Sequence, residues 1–219
     1  MNINENHQKT IFAGVVEKDI PFKGDKVCKV LYGIVKKYIE DDILDIGAGS
    51  GALIDLLNSK GYHATGIDLN PVSNKVQFGT ITEPPFPDCR FGTVFCCDIL
   101  EHLTDEQLTG GIKQVFRVLK DDGRFIISTP FAEDLRHNAV VCPECKAQFH
   151  RFGHLQTFTD ERIKNIFQKS GFDVKLRKVC SMGVAAKIPL GRYFHWLFNS
   201  MNFEFIEKTI IVVAQKKRT

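Results

Sequence analysis

This chain has little that would place it outside an ordinary globular class. No apolar run approaches the roughly 18 residues of a membrane-spanning helix. The polar opening stretch, through residue 25, carries no sustained apolar core, so a secretory signal is not expected. Neither sign of charge dominates: 29 basic residues face 26 acidic ones, and a net charge of +3 is too mild to predict a nucleic-acid partner or an acidic membrane surface. Seven cysteines is an odd number, and Cys96 and Cys97 are adjacent, which suits reduced thiols in a cytoplasmic protein better than a disulfide framework. There is no internal repeat and no low-complexity linker. The densest group of structure breakers, Glu83-Pro84-Pro85-Phe86-Pro87-Asp88, reads as a loop.

What is present is an alternation of periods. Apolar residues recur at helical spacing over 25–40, 53–59, 104–119 and 159–169. Short apolar or β-favouring runs occupy 43–46, 64–69, 75–78, 93–97, 124–128, 172–179 and 209–214. Thr104 is placed to cap the third helix, and Gly61 and Gly171 to stop the second and fourth. Strands alternating with helices predict an α/β fold: a Rossmann-like, seven-stranded, mostly parallel sheet with helices on both faces and the last strand antiparallel. One domain over 1–219 is expected, elaborated at 133–158 and at 180–208. Ligands of such sheets bind beyond the carboxyl ends of the strands, at the topological switch point.

The first strand runs into Asp45-Ile46-Gly47-Ala48-Gly49-Ser50-Gly51. Glycines there permit a sharp turn and a close ligand approach. Asp68, 21 residues after Gly47 and at the end of the second strand, is placed to accept hydrogen bonds from both hydroxyls of a ribose. A nucleoside-containing cofactor follows. The glycine spacing also satisfies the loose dinucleotide pattern. Asp45 argues the other way, because a carboxylate repels a pyrophosphate and attracts an ammonium.

Four pieces in order, ILDIGAGSG, GIDLNP, PFPDCRFGTVFCCDILEHL and QVFRVLKDDGRFIISTP, resemble the class I S-adenosylmethionine-dependent methyltransferases, most closely those with a type 11/12 core. The resemblance covers about residues 25–178 and the final strand. It implies that Asp45, Gly47, Gly49 and Gly51 hold the methionine end of the cofactor. Asp68 would bind the ribose, Leu69 would flank the adenine, Thr80 and Ile81 would edge it, and Cys97 and Asp98 would line the methyl group. Thr80 departs from the family, where an aspartate commonly stands.

Methyl transfer from a sulfonium needs alignment and, for a hydroxyl acceptor, a base. Asp98, Glu101, His102 and His154 are the candidates, with His102 and Glu101 also readable as a structural cap. The same side chains are a donor set for a divalent metal. The stretch VVCPECKAQFHRFGHL sets a second expectation: a Zn²⁺ held by Cys142, Cys145, His150 and His154, spaced C-x₂-C-x₄-H-x₃-H like a compact zinc knuckle. A metal-free loop is its alternative, and His154 cannot serve at once as ligand and as base. Phe149, Arg151 and Phe152 would suit single-stranded RNA, although the near-neutral charge opposes it. The segment 188–198, with the only tryptophan, reads as a lid or a contact with a membrane surface. The favoured reading is O-methylation of a small-molecule or glycan-type acceptor. An RNA methyltransferase and a catalytically silent, zinc-stabilised scaffold are the alternatives.

Overall fold

The computed structural model describes residues 24–183 and 208–218. Most of the expected lid, including the segment 188–198, lies outside the described residues.

The chain opens with helix α1, Gly24–Val35, then strand β1, Ile43–Ile46, and the short helix α2, Ala52–Asn58. Strands β2 (Ala64–Asp68), β3 (Val76–Phe78) and β4 (Phe91–Cys97) follow. Helix α3, Asp105–Val118, leads directly into β5, Leu119–Pro130. A hairpin, β6 (Ala139–Val141) and β7 (Gln148–His150), precedes helix α4, Asp160–Lys169, and strands β8 (Phe172–Cys180) and β9 (Thr209–Lys216) close the fold.

Seven strands make one sheet in the order β3-β2-β1-β4-β5-β9-β8. β1 pairs in parallel with β2 and β4, β2 with β3, and β4 with β5, while β9 runs antiparallel between β5 and β8. The order reverses beside β1. The crevice between the ends of β1 and β4 is therefore the ligand position that the topology favours.

The period-2 alternation of each central strand divides the core between two faces. Leu44, Ile46, Phe125, Ile127, Ile210 and Val212 face α3 and α4, meeting Leu108, Ile112, Ile163 and Phe167. Ile43, Ile126, Ile211 and Val213 face α1 and α2, meeting Leu31, Val35, Leu53 and Leu57. Thr104 caps α3 in a full capping box: its side chain accepts from the Gln107 amide, and the Gln107 side chain returns to the Thr104 amide. Thr159 caps α4 with its side chain accepting from the Arg162 amide.

Two elements differ from the sequence expectation. β5 begins at Leu119 rather than near Arg124. Asp121-Asp122-Gly123 has turn composition and Asp122 takes φ +61°, but a register shift lets Leu119 pair with Phe91 and Arg124 with Thr93, so the ladder absorbs the bulge. The hairpin β6–β7 was not anticipated either. It is short, exposed, and lacks the apolar alternation that would have marked it.

Candidate active site

The glycine loop leaves β1 with Gly47 and Ala48 both donating to the Ile67 carbonyl at the end of β2 (2.8 and 3.1 Å). Gly47 takes φ +77°, and a Cβ on it would stand 2.2 Å from Cδ1 of Ile99. Only glycine lets the loop lie against the segment after β4. Gly49, at φ +51°, is the opposite case: a Cβ there would meet nothing within 4 Å. The space over Gly49 is open.

Asp68 organises this loop. Its Oδ2 accepts from the Gly49 amide at 2.9 Å and its Oδ1 from the Asn70 amide at 2.8 Å. Asp45 lies beneath the loop, 4% exposed. Burial first, and the charge of Asp68 second, push its pKa up to about 8. Two carboxylates of one sign around one loop leave a cation missing from the balance.

The flanking expectations divide. Leu69 is half-buried beside Asp68. Ile81 is buried in the core, close against Gly111 of α3. The Thr80 hydroxyl is engaged by the Thr82 hydroxyl at 2.9 Å and by the Glu83 amide at 3.0 Å, so it stiffens a turn rather than replacing the family's aspartate.

At the end of β4, Cys97 is half-buried, with burial raising its thiol well above the usual range. Asp98 adopts φ +53°, a left-handed conformation uncommon for a residue with a side chain, and accepts from the Ser128 hydroxyl at 3.1 Å. A single 3-10 turn, Leu100–His102, then buries Glu101 and His102. Glu101 Oε2 accepts from the Thr129 hydroxyl at 2.9 Å. Burial, with Asp98 second, raises the Glu101 carboxyl well above its ordinary range. Nδ1 of His102 meets the Gly153 carbonyl at 3.2 Å, and burial with repulsion from His154 lowers its pKa to about 4. His102 is therefore a neutral imidazole near neutral pH.

The loop between β7 and α4 folds onto that turn. The Leu155 and Gln156 amides donate to the Glu101 carbonyl (2.8 and 3.3 Å), which brings the His154 ring within 4.9 Å of the His102 ring, centroid to centroid. Nδ1 of His154 is 2.5 Å from Oε2 of Glu133, a residue just past β5. The His150 ring stacks on His154, and its Nδ1 accepts from the Phe152 and His154 amides (3.3 and 3.1 Å). Its Nε2 lies 3.3 Å from Glu133 Oε1 without hydrogen-bond geometry. Burial raises the Glu133 carboxyl, but the hydrogen bond and charge of His154 outweigh it, and the net shift is downward. Glu133 is an ionised partner for His154.

The expected four-ligand zinc set is not assembled. His150 stands opposite Ala139 at the base of the hairpin, whereas Cys142 follows Val141, which pairs with Gln148. Three ladder positions at about 3.3 Å each separate that cysteine from His150. Cys142 and Cys145 interact at the hairpin tip, where main-chain groups of Cys145 and Glu144 and the Cys145 thiol lower the Cys142 pKa. The two histidines converge with acids instead: Glu133, His150 and His154 form one group whose donor atoms lie within 4.8 Å of one another, and Glu101, His102 and His154 form another. Glu133 and Thr129 escaped the sequence reading. Their only signal was position, since both lie at or just beyond the carboxyl end of a parallel strand.

Comparison with known proteins follows the same outline. Residues 27–176 match the family described as "Methyltransferase domain". A probable S-adenosylmethionine-dependent methyltransferase of Mycolicibacterium smegmatis is 23% identical over 172 residues, 74% of this chain and 63% of that protein. A ubiquinone biosynthesis O-methyltransferase of Paracidovorax citrulli is 32% identical over 103 residues, 40% of this chain and 42% of that protein. The aligned parts thus span less than two thirds of these relatives' own length. A crystal structure of a Burkholderia thailandensis 1,6-didemethyltoxoflavin-N1-methyltransferase superposes with a TM-score of 0.70 at 14% identity, covering 100% of this chain and 92% of that one, a likeness of fold.

Proposed function

The chain belongs to the methyltransferase domain family, and from that premise we propose that it transfers the methyl group of S-adenosylmethionine to an oxygen of a small-molecule or glycan-type acceptor. The observation that carries the proposal is the pair of carboxylates around the glycine loop, Asp45 buried beneath it and Asp68 anchored to the Gly49 amide. A pyrophosphate would add negative charge to a pair already short of a cation. An amino acid's ammonium would supply that cation, and a ribose would use the carboxylate lone pairs that Asp68 still has.

When bound, S-adenosylmethionine supplies a methyl group on a sulfonium that leaves without protonation. The chain's own residues then have two tasks. Asp45, Gly47, Gly49 and Gly51 hold the methionine end, with the open space over Gly49 admitting it to the bare main chain. Asp68 orients the ribose and Leu69 flanks the base. At the end of β4, Cys97 and the strained Asp98 line the reacting end.

The second task is deprotonation. A proton leaving an acceptor hydroxyl passes toward Nε2 of His154, because Glu133 holds the Nδ1–H and so leaves the lone pair on the other nitrogen. His102 stands beside it as a neutral imidazole. The exposed Phe152 has its ring 5.9 Å from that of His154, and Leu155, next to His154 in the chain, is also exposed, which favours an acceptor with an apolar or aromatic body. The name of the Paracidovorax citrulli relative points the same way.

The test is calorimetry with S-adenosylmethionine and S-adenosylhomocysteine. Mass spectrometry of a panel of phenolic, glycan and lipid-linked hydroxyl acceptors would follow. Binding of neither cofactor form would overturn the reading. Methylation confined to nitrogen acceptors or to RNA would overturn its oxygen and small-molecule parts.

A further inference from the structure

The hairpin tip Cys142-Pro143-Glu144-Cys145 takes no part in the site at the sheet edge, yet it is built with care. The Cys142 amide donates to the Ala147 carbonyl at 2.9 Å, and the Lys146 amide returns to the Cys142 carbonyl at 3.0 Å. Pro143 arrives with its φ already fixed. Lys146 takes φ +61°, a left-handed conformation that costs a residue with a side chain about 1–2 kcal/mol. The turn so closed aims the main-chain N–H groups of Glu144 and Cys145 at the Cys142 sulfur, with the Cys145 thiol in hydrogen-bond reach of the same atom. N–H dipoles converging on a sulfur favour the thiolate, which is the form that ligates a metal. Both donor atoms are unambiguous, since a cysteine offers only its Sγ.

The ladder that carries this tip stands clear of the body. Val140 pairs with Phe149 and Val141 with Gln148, so Val141 and Phe149 lie on opposite faces. Both are exposed, at 59% and 48%. Each strand has only three residues, and a two-stranded hairpin of that size is marginal on its own in water. A cross-link at the tip would supply what burial does not. Cys145 is exposed and Cys142 half-buried, so the pair is within reach of another molecule. Among the described residues, no group of three or more potential ligands includes either cysteine.

We propose that Cys142 and Cys145 are half of a tetrathiolate site for one Zn²⁺-type ion, completed by the same two cysteines of a second copy of this chain. Soft thiolate ligands select Zn²⁺ and its thiophilic analogues over Mg²⁺ or Ca²⁺, and a structural zinc takes four ligands in a tetrahedron. One tip supplies two of the four. A two-fold axis through the ion supplies the rest, and such an interface must be self-complementary. The tip meets that condition. It carries one acid, Glu144, and one base, Lys146, whose ammonium is held on the Pro143 carbonyl at 2.9 Å. Across a two-fold axis the acid of each tip faces the base of the other, and the two ammonium groups offset the excess charge of four thiolates on a divalent ion. Apolar Val141, directly before Cys142, gains cover in the same contact. Four protein sulfurs leave no open position, so the ion is structural. The inference goes beyond the methyl-transfer reading and stands without it, and it leaves His150 and His154 in the roles described above.

The test uses the full chain, reduced and chelator-treated, titrated with Co²⁺ as the probe. Absorption reports sulfur-to-cobalt charge transfer and the intense visible bands of a tetrahedral site, and sedimentation reports molar mass. One ion should bind per two chains, the mass should double on addition of metal, and a chelator should reverse both. Cys142→Ser and Cys145→Ser should each abolish the doubling and weaken binding by more than the roughly 10- to 100-fold that loss of a supporting partner costs. Cys89→Ser, which removes an exposed thiol elsewhere, should change neither. Circular dichroism confirms that each variant is folded. A folded parent without charge-transfer bands overturns the proposal. So does one ion per chain with the mass unchanged, which would place the remaining ligands on the same chain. A Cys142→Ser or Cys145→Ser protein that keeps the bands and the doubling overturns it too, as does a Cys89→Ser protein that loses them.

Discussion

Nδ1 of His154 and Oε2 of Glu133 lie 2.5 Å apart, joining the loop before α4 to the segment after β5 across 21 residues. The pair decides which nitrogen of His154 is available, because an ionised carboxylate only accepts. Glu133→Gln presents a side chain that can also donate, so the tautomer is no longer specified. Turnover should fall about tenfold or more, part of the 10²–10⁴ that a positioned base contributes. S-adenosylhomocysteine binding should stay unchanged, because Glu133 does not touch the glycine loop. An equal loss of both would mean that Glu133 serves folding and not the reacting end.

Asp45 gives a pH signature. Its pKa in the folded chain, about 8, lies above the ordinary 3.8. Between those values the folded state binds a proton that the unfolded state has released, so stability declines as pH rises through the window and levels off above it. Asp45→Asn removes this dependence. Without cofactor, the variant should be more stable than the parent at about pH 8 by at least about 1.4 kcal/mol, the worth of a tenfold change in proton affinity, and the two should converge toward about pH 4. The same variant should bind S-adenosylmethionine more weakly. Denaturant unfolding at both pH values measures the first effect, and parallel pH profiles for the two proteins would contradict it.

Gly47 and Gly49 should separate packing from ligand space. Gly47→Ala forces a methyl group into Ile99 and takes a positive φ, a conformation that costs a side-chain residue about 1–2 kcal/mol before any collision. Its thermal midpoint should drop clearly. Gly49→Ala bears only the conformational cost, since nothing in the chain lies within 4 Å of the new methyl group. It should lose proportionally more cofactor affinity than stability. Calorimetry beside thermal unfolding distinguishes the two, and a Gly49→Ala protein with full affinity would remove the cofactor from that space.

Asp68→Ala strips the Gly49 and Asn70 amides of their acceptor. Cofactor binding should weaken by about 1–3 kcal/mol, the range for leaving buried polar partners unpaired. Calorimetry with S-adenosylhomocysteine checks this. Undiminished affinity would end the ribose assignment, and preferential binding of NAD by the parent would end the methyl-donor reading.

Much of the fold could be read from pattern alone. β1 was placed to the residue because four consecutive buried positions end at a glycine. α3 was marked by Thr104 and Gln107, whose mutual bonds are local and depend only on spacing. β5 was placed too late because Asp121-Asp122-Gly123 has the chemistry of a turn, and only pairing with β4 shows that the strand runs through it.

The sequence by itself determined the α/β alternation, the glycine loop, and the placement of the acids Asp45 and Asp68 at that loop, since these follow from periodicity and from spacing along one strand–turn–helix unit. Only the tertiary structure decided which histidine partners which acid. The spacing of Cys142, Cys145, His150 and His154 suggested one metal site, but the register of a two-stranded ladder set the cysteines and the histidines apart. A carboxylate 21 residues from His154 and a 3-10 turn after β4 then claimed the histidines. Spacing counts residues along the chain. Ligation and proton transfer depend on where donor atoms converge, and here that convergence comes from strands β4 and β5 meeting side by side and ending at the same edge of the sheet.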